Sequence, residues 1–410
     1  MRGPLLAVAM VLASALSAAG ADQVESHMQR ITVRDGRFVQ AESLTPFEPR
    51  GFNYIRLHQA WHSTFMPGQY DGPRASAMLA DLAGRGFNVV RVFIDHRAGG
   101  GVVSSADATG LSPAYMDNVA DFLARAASKR VYVIFTLLEV PQARHYTGDD
   151  QHPLATGPNA QYLDPPHLAG KCAYVRDFVQ ALRDRDASLL SAVMAYELEN
   201  ESHFDVSCRP LDRAEGHLEF AGRTYDLTSE ADLQRLVDDA VARWANACTD
   251  AIHAVDPQAM VSTNVFTFAA VGRTGPGHLL TDAPEDHRFP ARPLALVDTK
   301  LAYLDVHLYP LGRPLQVDMT GIEFEAVRDA CSRTGKPIIM GEFGAFRFVY
   351  PDAPKAAAAM ADHLRRVYEL GFAGFVYWTY DCDEQEELFN AKSDGGLILD
   401  ALTPVRRSGG

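Results

Sequence analysis

The stretch SAVMAYELENES, residues 191–202, passes from apolar residues at its start to acidic residues at its end. Four of its first six residues are apolar, which is typical of a strand buried on both faces of a sheet. Polar side chains then follow at Glu197, Glu199, Asn200 and Glu201. Because a carboxylate at the end of a buried strand is costly unless it is paired or used, the stretch predicts a strand that carries acidic groups to a site.

A second stretch, KPIIMGEFG at residues 336–344, has the same design. It is an apolar strand that ends in one carboxylate, Glu342, between Gly341 and Gly344. Glycines at such positions let other backbone or a ligand approach closely. Two strands that each supply one carboxylate provide the minimal pair of groups for cleaving a glycosidic bond.

Strand-like and helix-like segments alternate along the whole chain. Apolar segments of strand length are predicted at residues 51–57, 88–94, 131–138, 191–202, 259–265, 302–307, 336–344 and 374–378. Helical spacing is predicted at residues 74–85, 113–127, 167–187, 229–255, 321–334 and 353–370. This alternation predicts an α/β fold built from a parallel sheet.

The number of strand–helix units decides between two folds of this class. A doubly wound open sheet would alternate in the same way, but units built on eight strands favour a closed (β/α)8 TIM barrel, expected as a single domain over residues 22–410. Residues 29–42 predict an N-terminal β-hairpin around Asp35-Gly36, which would close the end of the barrel opposite the active face. Long loops after strands, which build the active face of such barrels, are predicted at residues 139–165, 203–228 and 266–298.

The first 21 residues have the pattern of a secretory signal peptide. Arg2 is followed by an apolar run over residues 5–16, which is shorter than the roughly 20 residues that span a bilayer. Small residues at positions 19–21 resemble a cleavage site before Asp22, and a retained anchor is the alternative. We therefore expect a secreted or periplasmic protein with no membrane span.

Composition is that of an ordinary globular protein, with 47% hydrophobic and 22% charged residues. The whole chain carries a formal net charge of -14, from 38 basic and 52 acidic residues. Removal of residues 1–21 takes away only one basic residue. This acidic balance argues against nucleic acid as a partner.

Five cysteines, at positions 172, 208, 248, 331 and 382, remain after cleavage. Export favours disulfides, and we expect one or two bridges, including one that ties the loop around Cys208, with at least one thiol left unpaired. No CxxC spacing occurs, so a zinc site is not expected. Asp95-His96 gives only a weak metal signal, and we expect no metal or other cofactor.

The motifs along the chain resemble glycoside hydrolase family 5, within the clan of retaining (β/α)8 glycosidases. The resemblance covers nearly the whole mature chain, and its motifs, in order, are VRDGRFV, RGFNY, VVRVF, YELENES, DVHLYP, MGEFG and FVYWTY. Asn-Glu at the fourth strand and Glu-Phe-Gly at the seventh form its most specific pair. Within the family, MAYELENES and VHLYP resemble the cellulase and β-mannanase-like members, the mannanase-like branches most.

The resemblance implies that Glu201 is the general acid/base and Glu342 the nucleophile. It also implies that five further residues bind the sugar or hold the carboxylates: Arg91, Asn200, His307, Tyr309 and Trp378. Glu197 and Glu199 are expected to be structural partners of basic side chains.

Each of the five binding residues has an implied place. Arg91 would lie beside the nucleophile and keep it ionised, and Tyr309 would donate a hydrogen bond to it. Asn200 would hold the sugar 2-hydroxyl, and His307 would flank the cleavage point. Trp378 would form the floor under the sugar that is attacked. Other aromatic residues near strand ends could stack on sugar faces: Tyr54, Trp61, Phe65, Tyr70, Phe266, Phe268, Tyr377 and Tyr380.

The implied function is a secreted, monomeric, retaining β-glycoside hydrolase that acts on β-1,4-linked mannan or glucan chains or oligosaccharides. Long loops after the third, fourth and fifth strands would wall the groove and restrict the enzyme to chain ends or short substrates. Three rivals remain open: a transglycosylase with the same nucleophile, a barrel that binds carbohydrate without cleaving it, and a metal-dependent hydrolase.

Overall fold

The computed structural model describes residues 28–59, 61–107, 110–147, 154–213, 215–319 and 321–404. The predicted signal peptide, residues 1–21, lies outside these residues and stays a prediction. Within the described part of the chain, no helix is both long enough and apolar enough to cross a membrane.

Strands and helices alternate as the sequence predicts. The strands are β1 (Ile31–Arg34), β2 (Arg37–Gln40), β3 (Arg50–Asn53), β4 (Leu57–His58), β5 (Trp61–His62), β6 (Val89–Ile94), β7 (Tyr132–Leu137), β8 (Val193–Glu197), β9 (His203–Asp205), β10 (His217–Phe220), β11 (Arg223–Asp226), β12 (Val261–Ser262), β13 (Asn264–Phe266), β14 (Arg288–Pro290), β15 (Leu304–His307), β16 (Ile338–Phe343), β17 (Ala345–Phe346), β18 (Phe375–Tyr377) and β19 (Leu388–Phe389). The α-helices are α1 (Gly72–Arg85), α2 (Pro113–Ser128), α3 (Ala160–Leu163), α4 (Pro165–Arg185), α5 (Glu230–His253), α6 (Leu315–Asp318), α7 (Phe324–Thr334), α8 (Ala353–Glu369) and α9 (Leu397–Leu402).

The central sheet is a parallel barrel. Its strand order is β12-β8-β7-β6-β3-β18-β16-β15-β13, and every neighbouring pair is parallel. The two end strands, β12 and β13, are separated along the chain only by Thr263, so they form the fifth barrel strand in two pieces. One piece pairs with β8 and the other with β15, which closes the ring. The prediction of a (β/α)8 TIM barrel is confirmed.

Local sequence signals explain where the outer helices begin. α2 follows Ser112, whose hydroxyl accepts a hydrogen bond from the Tyr115 amide, and Pro113 occupies its first turn as predicted. Its buried residues lie three and four positions apart, at Tyr115, Val119 and Phe122 among others, and this spacing turns one face toward the barrel. The end of α1 at Gly86, with φ of 86°, likewise needs a residue that tolerates the left-handed region.

The predicted hairpin is present as β1 and β2, with Arg34 paired to Arg37 across the turn. It packs near the amino-terminal ends of barrel strands: the Phe38 and Tyr303 rings lie 5.4 Å apart, just before β15. The Tyr132 hydroxyl, at the start of β7, donates to the Gln29 carbonyl over 2.7 Å. The hairpin therefore covers the end of the barrel opposite the catalytic motifs, as predicted.

The long loops contain more regular structure than predicted. β9, in the loop after the fourth barrel strand, pairs antiparallel with β14, in the loop after the fifth, with Asp205 opposite Arg288 and His203 opposite Pro290. We call this pair the loop ribbon. β10 and β11 form a separate hairpin in the first of these loops. The sequence predicted only long loops here, because three- and four-residue strands are too short to show an alternating pattern.

The expectation of one or two disulfides was also wrong. All five cysteines are free thiols, and Cys208 has no sulfur partner. Cys172 and Cys248 come closest, with their sulfur atoms 3.8 Å apart where α4 packs on α5. The spacing of cysteines along the chain carries no information on such contacts, which are fixed by helix packing.

Candidate active site

The two predicted catalytic glutamates meet at the carboxyl-terminal end of the barrel. Glu342 is on β16, whereas Glu201 lies four positions beyond the end of β8 at Glu197. One carboxylate oxygen of Glu201, one of Glu342 and a ring nitrogen of His307 all lie within 4.8 Å of one another. The 141 positions that separate the glutamates in sequence are thus bridged by the barrel.

Glu201 is held in an unusual backbone conformation. Its φ is 52°, in the left-handed region that non-glycine residues rarely adopt. The Asn264 side chain accepts a hydrogen bond from the Glu201 amide, and the Asn264 carbonyl accepts one from the Ser202 amide over 2.9 Å. Asn264, on the fifth barrel strand, therefore fixes the backbone conformation at Glu201, just beyond the end of the fourth strand.

Arg91, on β6, connects most of the site. Its side chain is fully buried and donates to Glu197 over 2.7 Å, Glu342 over 2.8 Å, Asn200 over 2.8 Å and Asn53 over 2.9 Å. A buried guanidinium needs such partners to offset its lost hydration. Arg91 thus brings the ends of β3, β6, β8 and β16 to one point, and it lies beside Glu342 as predicted.

Glu197 has the structural environment that the sequence analysis expected. Besides Arg91, it accepts hydrogen bonds from Thr136 over 2.8 Å and from Asn264 over 3.0 Å. Burial alone would raise the pKa of the Glu197 carboxyl, but the charge of Arg91 and the hydrogen bonds of Asp305, Arg91 and Thr136 together lower it. Glu197 is therefore a buried carboxylate partner of Arg91.

Tyr309 and His307 contact the catalytic carboxylates. The Tyr309 hydroxyl donates to Oε1 of Glu342 over 2.6 Å. Burial, together with the nearby negative charge of Glu342, raises the pKa of Tyr309 well above its ordinary value, so this group stays a proton donor. Nδ1 of His307 lies 3.1 Å from Oε1 of Glu201 and 3.6 Å from Oε2 of Glu342, between the two carboxylates.

Glu201 has a partner that the sequence did not reveal. Nη1 of Arg288, in the loop ribbon, donates to Oε2 of Glu201 over 2.5 Å. Burial would raise the pKa of Glu201, but the hydrogen bond and charge of His307 and the charge of Arg288 lower it to about 2. No local signal marks Arg288, because it lies inside a segment predicted as a long loop and 87 positions from Glu201.

A cleft of about 430 Å³ opens in front of the two glutamates. Asn200, Glu201, Tyr309, Glu342 and Trp378 all line it, and so do residues from most of the surrounding loops: Leu57, His62, Phe93, Phe266, Thr267, Ala270, Arg288, Leu311, Arg313, Asp318, Phe346, Gln385 and Leu388. This volume is within the range of small-molecule sites.

Aromatic residues contribute to the cleft less than predicted. Trp378 lines it, and its indole N–H donates to Gln385 over 2.7 Å. Of the further aromatic candidates, only Phe266 is among the lining residues. Several others are buried in the core instead, and these are Tyr54, Phe65, Phe268, Tyr377 and Tyr380. Their rings pack against other buried aromatic rings, as Tyr54 and Phe65 do against Phe122 of α2, because core packing competes for the same residue types.

The glycines around Glu342 make room for protein groups. A Cβ at Gly341 would overlap the carboxyl group of Asp305, and one at Gly344 would lie 2.8 Å from the Trp378 carbonyl oxygen and 3.0 Å from the Tyr309 ring. The two glycines therefore permit close approach as expected, and the groups that approach them come from neighbouring strands of the barrel or the residues just after them.

Glu199 is buried next to the site without lining the cleft. Its Oε2 lies 3.8 Å from Nζ of the buried Lys171, and its Oε1 accepts a hydrogen bond from the Asn200 amide over 3.0 Å. Burial raises the pKa of Glu199 to about 7, and the charge of Lys171 only partly opposes this. Lys171 also donates to the Leu137 and Leu138 carbonyls, so the pair joins α4 to the ends of β7 and β8.

The cluster of Glu201, His307 and Glu342 contains side chains of the kinds that bind divalent cations. Both carboxylates already accept hydrogen bonds from guanidinium groups, Glu342 from Arg91 and Glu201 from Arg288. These positive neighbours disfavour a cation at the same position. The expectation of a reaction without metal stays a prediction.

The sequence profile described as Cellulase (glycosyl hydrolase family 5) matches residues 42–381 of the chain. The chain belongs to glycosyl hydrolase family 5. It is therefore a glycoside hydrolase by family, and the predicted resemblance is confirmed. A search of curated proteins finds no significant match.

Solved structures share the fold of this family 5 member at low sequence identity. An endo-1,4-beta-mannanase from Rhizomucor miehei superposes with a TM-score of 0.59 at 14% identity, over 92% of this chain and 98% of that one. An exo-beta-1,4-mannosidase from Opitutaceae bacterium strain TAV5 gives 0.58 at 16% identity, over 90% and 61%. A hyperthermostable endo-1,4-beta-D-mannanase from Thermotoga petrophila RKU-1 gives 0.56 at 14% identity, over 87% and 98%. At these identities the likeness is one of fold.

Proposed function

We propose that this family 5 protein hydrolyses β-glycosides with retention of configuration, with Glu342 as nucleophile and Glu201 as general acid/base. The observation that carries the proposal is the short separation of the two carboxylates, which have oxygens within 4.8 Å of each other. Retaining enzymes place these groups about 5–5.5 Å apart, whereas inverting enzymes leave about 6.5–9.5 Å for a water molecule.

In the first step, a carboxylate oxygen of Glu342 attacks the anomeric carbon of the sugar. The bond from that carbon to the leaving oxygen breaks, and the proton of Glu201 moves to this oxygen. Arg91 and Tyr309 hold the two oxygens of Glu342, so the attacking group is oriented before the sugar arrives. Asn200 lines the cleft with its Oδ1 bonded to Arg91, which leaves its amide N–H groups for a sugar hydroxyl.

In the second step, Glu201 acts as a base. The ester has consumed the charge of Glu342, so the Glu201 carboxylate can accept a proton from water. The resulting hydroxide attacks the anomeric carbon from the face that the leaving group vacated, and the ester bond breaks to return Glu342 as a carboxylate. The two inversions leave the product with the configuration of the substrate.

The substrate class we propose is β-1,4-linked mannan or its oligosaccharides, with β-1,4-glucan as the alternative. In support, the structural neighbours named above are two mannanases and a mannosidase, and the family profile is named for cellulases. The loop ribbon, with β9 and β14 drawn together beside Glu201, supports action on short substrates or chain ends. We also propose that the protein is secreted or periplasmic and works as a monomer.

One experiment tests the reaction type. A panel of aryl β-glycosides and β-1,4-linked polysaccharides is incubated with the protein, and the anomer formed first is read by proton NMR. We expect the β-anomer from a β-mannoside or β-glucoside. First appearance of the α-anomer would contradict retention, and no turnover on the whole panel would favour a carbohydrate-binding barrel.

Product analysis tests the finer parts of the proposal. Release of single sugars or disaccharides from chain ends supports the short-substrate proposal, and random internal cuts contradict it. Transfer products that outweigh hydrolysis at high sugar concentration would identify a transglycosylase. Loss of activity with a chelator would identify the metal-dependent alternative.

A further inference from the structure

Arg288 is anchored so that its guanidinium stays beside Glu201. Asp286 accepts three hydrogen bonds from it: Nε donates to both carboxylate oxygens, over 3.1 Å and 3.2 Å, and Nη2 donates over 2.8 Å. The guanidinium carbon also lies 4.7 Å from the centre of the Phe266 ring. Nη1 is left to donate to Oε2 of Glu201 over 2.5 Å. Three independent contacts therefore fix one guanidinium on one carboxylate.

The loop ribbon sets this position from the backbone. Arg288 begins β14 and is paired with Asp205 of β9, four residues after Glu201. The two loops that carry Glu201 and Arg288 are thus hydrogen-bonded to each other immediately beside the ion pair. A chance contact between mobile surface side chains has no such support.

The other groups that face Glu201 do not replace Arg288. Nδ1 of His307, on β15, lies 3.1 Å from Oε1, and Glu342, on β16, brings a second negative charge to the same histidine. His203, on β9, contacts the Glu201 carbonyl, and burial lowers its pKa toward the neutral form. Arg288 is therefore the fixed positive charge nearest to Oε2 of Glu201 among the described contacts.

We propose that Arg288 is a positioning residue that holds Glu201 as a carboxylate, and that it thereby limits how readily Glu201 protonates a leaving group. This inference rests on the proposed function. The first step of a retaining reaction needs a proton on Glu201, and the second needs a carboxylate there. Arg288 favours the carboxylate form of Glu201. It therefore opposes the first step, which needs the proton, and assists the second step, which needs the carboxylate.

The proposal predicts a dependence on the leaving group. A glycoside with a dinitrophenyl leaving group departs without protonation, whereas an alkyl or sugar leaving group needs the proton of Glu201. Arg288→Gln removes the positive charge and keeps a polar but shorter side chain. Loss of an opposite charge raises a carboxyl pKa by about 1–3 units, so the high-pH limb of kcat/KM for an alkyl β-glycoside should move up by at least about one unit.

The rate ratio gives a second readout that overall damage to the site would not move. At a pH above both limbs, the ratio of kcat/KM for the alkyl glycoside to that for the dinitrophenyl glycoside should rise about tenfold in Arg288→Gln. Arg288→Lys keeps the charge and should move the limb less. Arg313→Gln is the matched control, because Arg313 also lines the cleft and is held by an aspartate, Asp318, over 2.9 Å. An unchanged limb and ratio in Arg288→Gln would overturn the proposal.

A measurement without turnover separates this proposal from the proposed function. The side-chain carboxyl carbons of glutamate are titrated by 13C NMR, and Glu201→Gln identifies the Glu201 signal. A midpoint that rises in Arg288→Gln and stays in Arg313→Gln supports the role of Arg288 even if no glycoside is cleaved. A Glu201 midpoint that is the same in the parent protein, Arg288→Gln and Arg313→Gln overturns the proposal even if hydrolysis is fast.

Discussion

The hydroxyl of Tyr309 lies 2.6 Å from Oε1 of Glu342 and donates a hydrogen bond to it. Oε2 of the same carboxylate accepts from Arg91 over 2.8 Å. Both oxygens of the proposed nucleophile are therefore occupied by donors from two different strands or their loops. This arrangement orients the carboxylate without any contribution from the substrate.

Replacement of Tyr309 by Phe should lower kcat/KM by about 10- to 100-fold. The change removes a hydrogen bond to a charged group, which contributes about 1.5–3 kcal/mol, while the ring keeps its place 5.1 Å from Phe346. Steady-state kinetics on an aryl β-glycoside measure this. Tyr350→Phe is the control, since that hydroxyl donates only to the Pro310 carbonyl over 3.3 Å. Equal kcat/KM values for the two variants would show that the hydrogen bond from Tyr309 to Glu342 does not contribute to catalysis.

Glu342→Gln should abolish turnover and leave the fold intact. An amide cannot attack the anomeric carbon, while Arg91 keeps its second carboxylate partner, Glu197, over 2.7 Å. Circular dichroism should give a melting temperature close to that of the parent protein. A decline smaller than about tenfold, equivalent to ~1.4 kcal/mol of barrier, would contradict the nucleophile assignment.

Arg91→Met should destabilise the protein by about 3–5 kcal/mol, because it leaves Glu197 and Glu342 buried without their positive partner. Urea unfolding followed by fluorescence measures the change. Arg366→Met is the comparison, since Arg366 makes an exposed helical pair with Asp362, and such pairs contribute about 0–1 kcal/mol. Similar losses in the two variants would mean that the site does not depend on the Arg91 charge.

Glu199 should make stability fall as pH rises. Burial raises its pKa from 4.5 to about 7 in the folded protein, so between these values the folded state holds a proton that the unfolded chain has lost. Stability then decreases with increasing pH across this window. Glu199→Gln should reduce the difference in urea midpoint between pH 5 and pH 8. Glu325→Gln, at an exposed helix position, should leave that difference as it is in the parent protein.

The barrel and its site centre could be predicted because their signals are local. Apolar runs such as residues 88–94 and 336–344 mark buried strands, and their polar ends mark the edge where the site forms. The carboxyl ends of parallel strands meet, so Glu201 and Glu342 were expected to converge, and the family resemblance implied that Arg91 lies beside Glu342; the three side chains lie within one network.

Contacts between loops could not be predicted in this way. Arg288 reaches Glu201 only because β14 pairs with β9, and neither strand is long enough to show a period. The partner of Glu199 was also hidden, since Lys171 is one of several charged residues on α4 and only packing brings it inward. Sulfur contacts such as Cys172 with Cys248 likewise depend on how two helices meet.

The loop ribbon makes the segments around β9 and β14 depend on each other, although they are distant in sequence. A transplant of the segment around β9 from a related barrel would arrive without the strand that orders it, and a transplant of the β14 segment would arrive without the carboxylate it serves. Recombination that preserves this pairing must exchange both stretches together. It must also keep Thr263, which lies between them in sequence and whose hydroxyl is hydrogen-bonded to that of Ser202 over 2.7 Å. If Arg288 sets leaving-group preference as proposed, an exchange of one stretch alone would break the Arg288–Glu201 contact and change that preference in a single step.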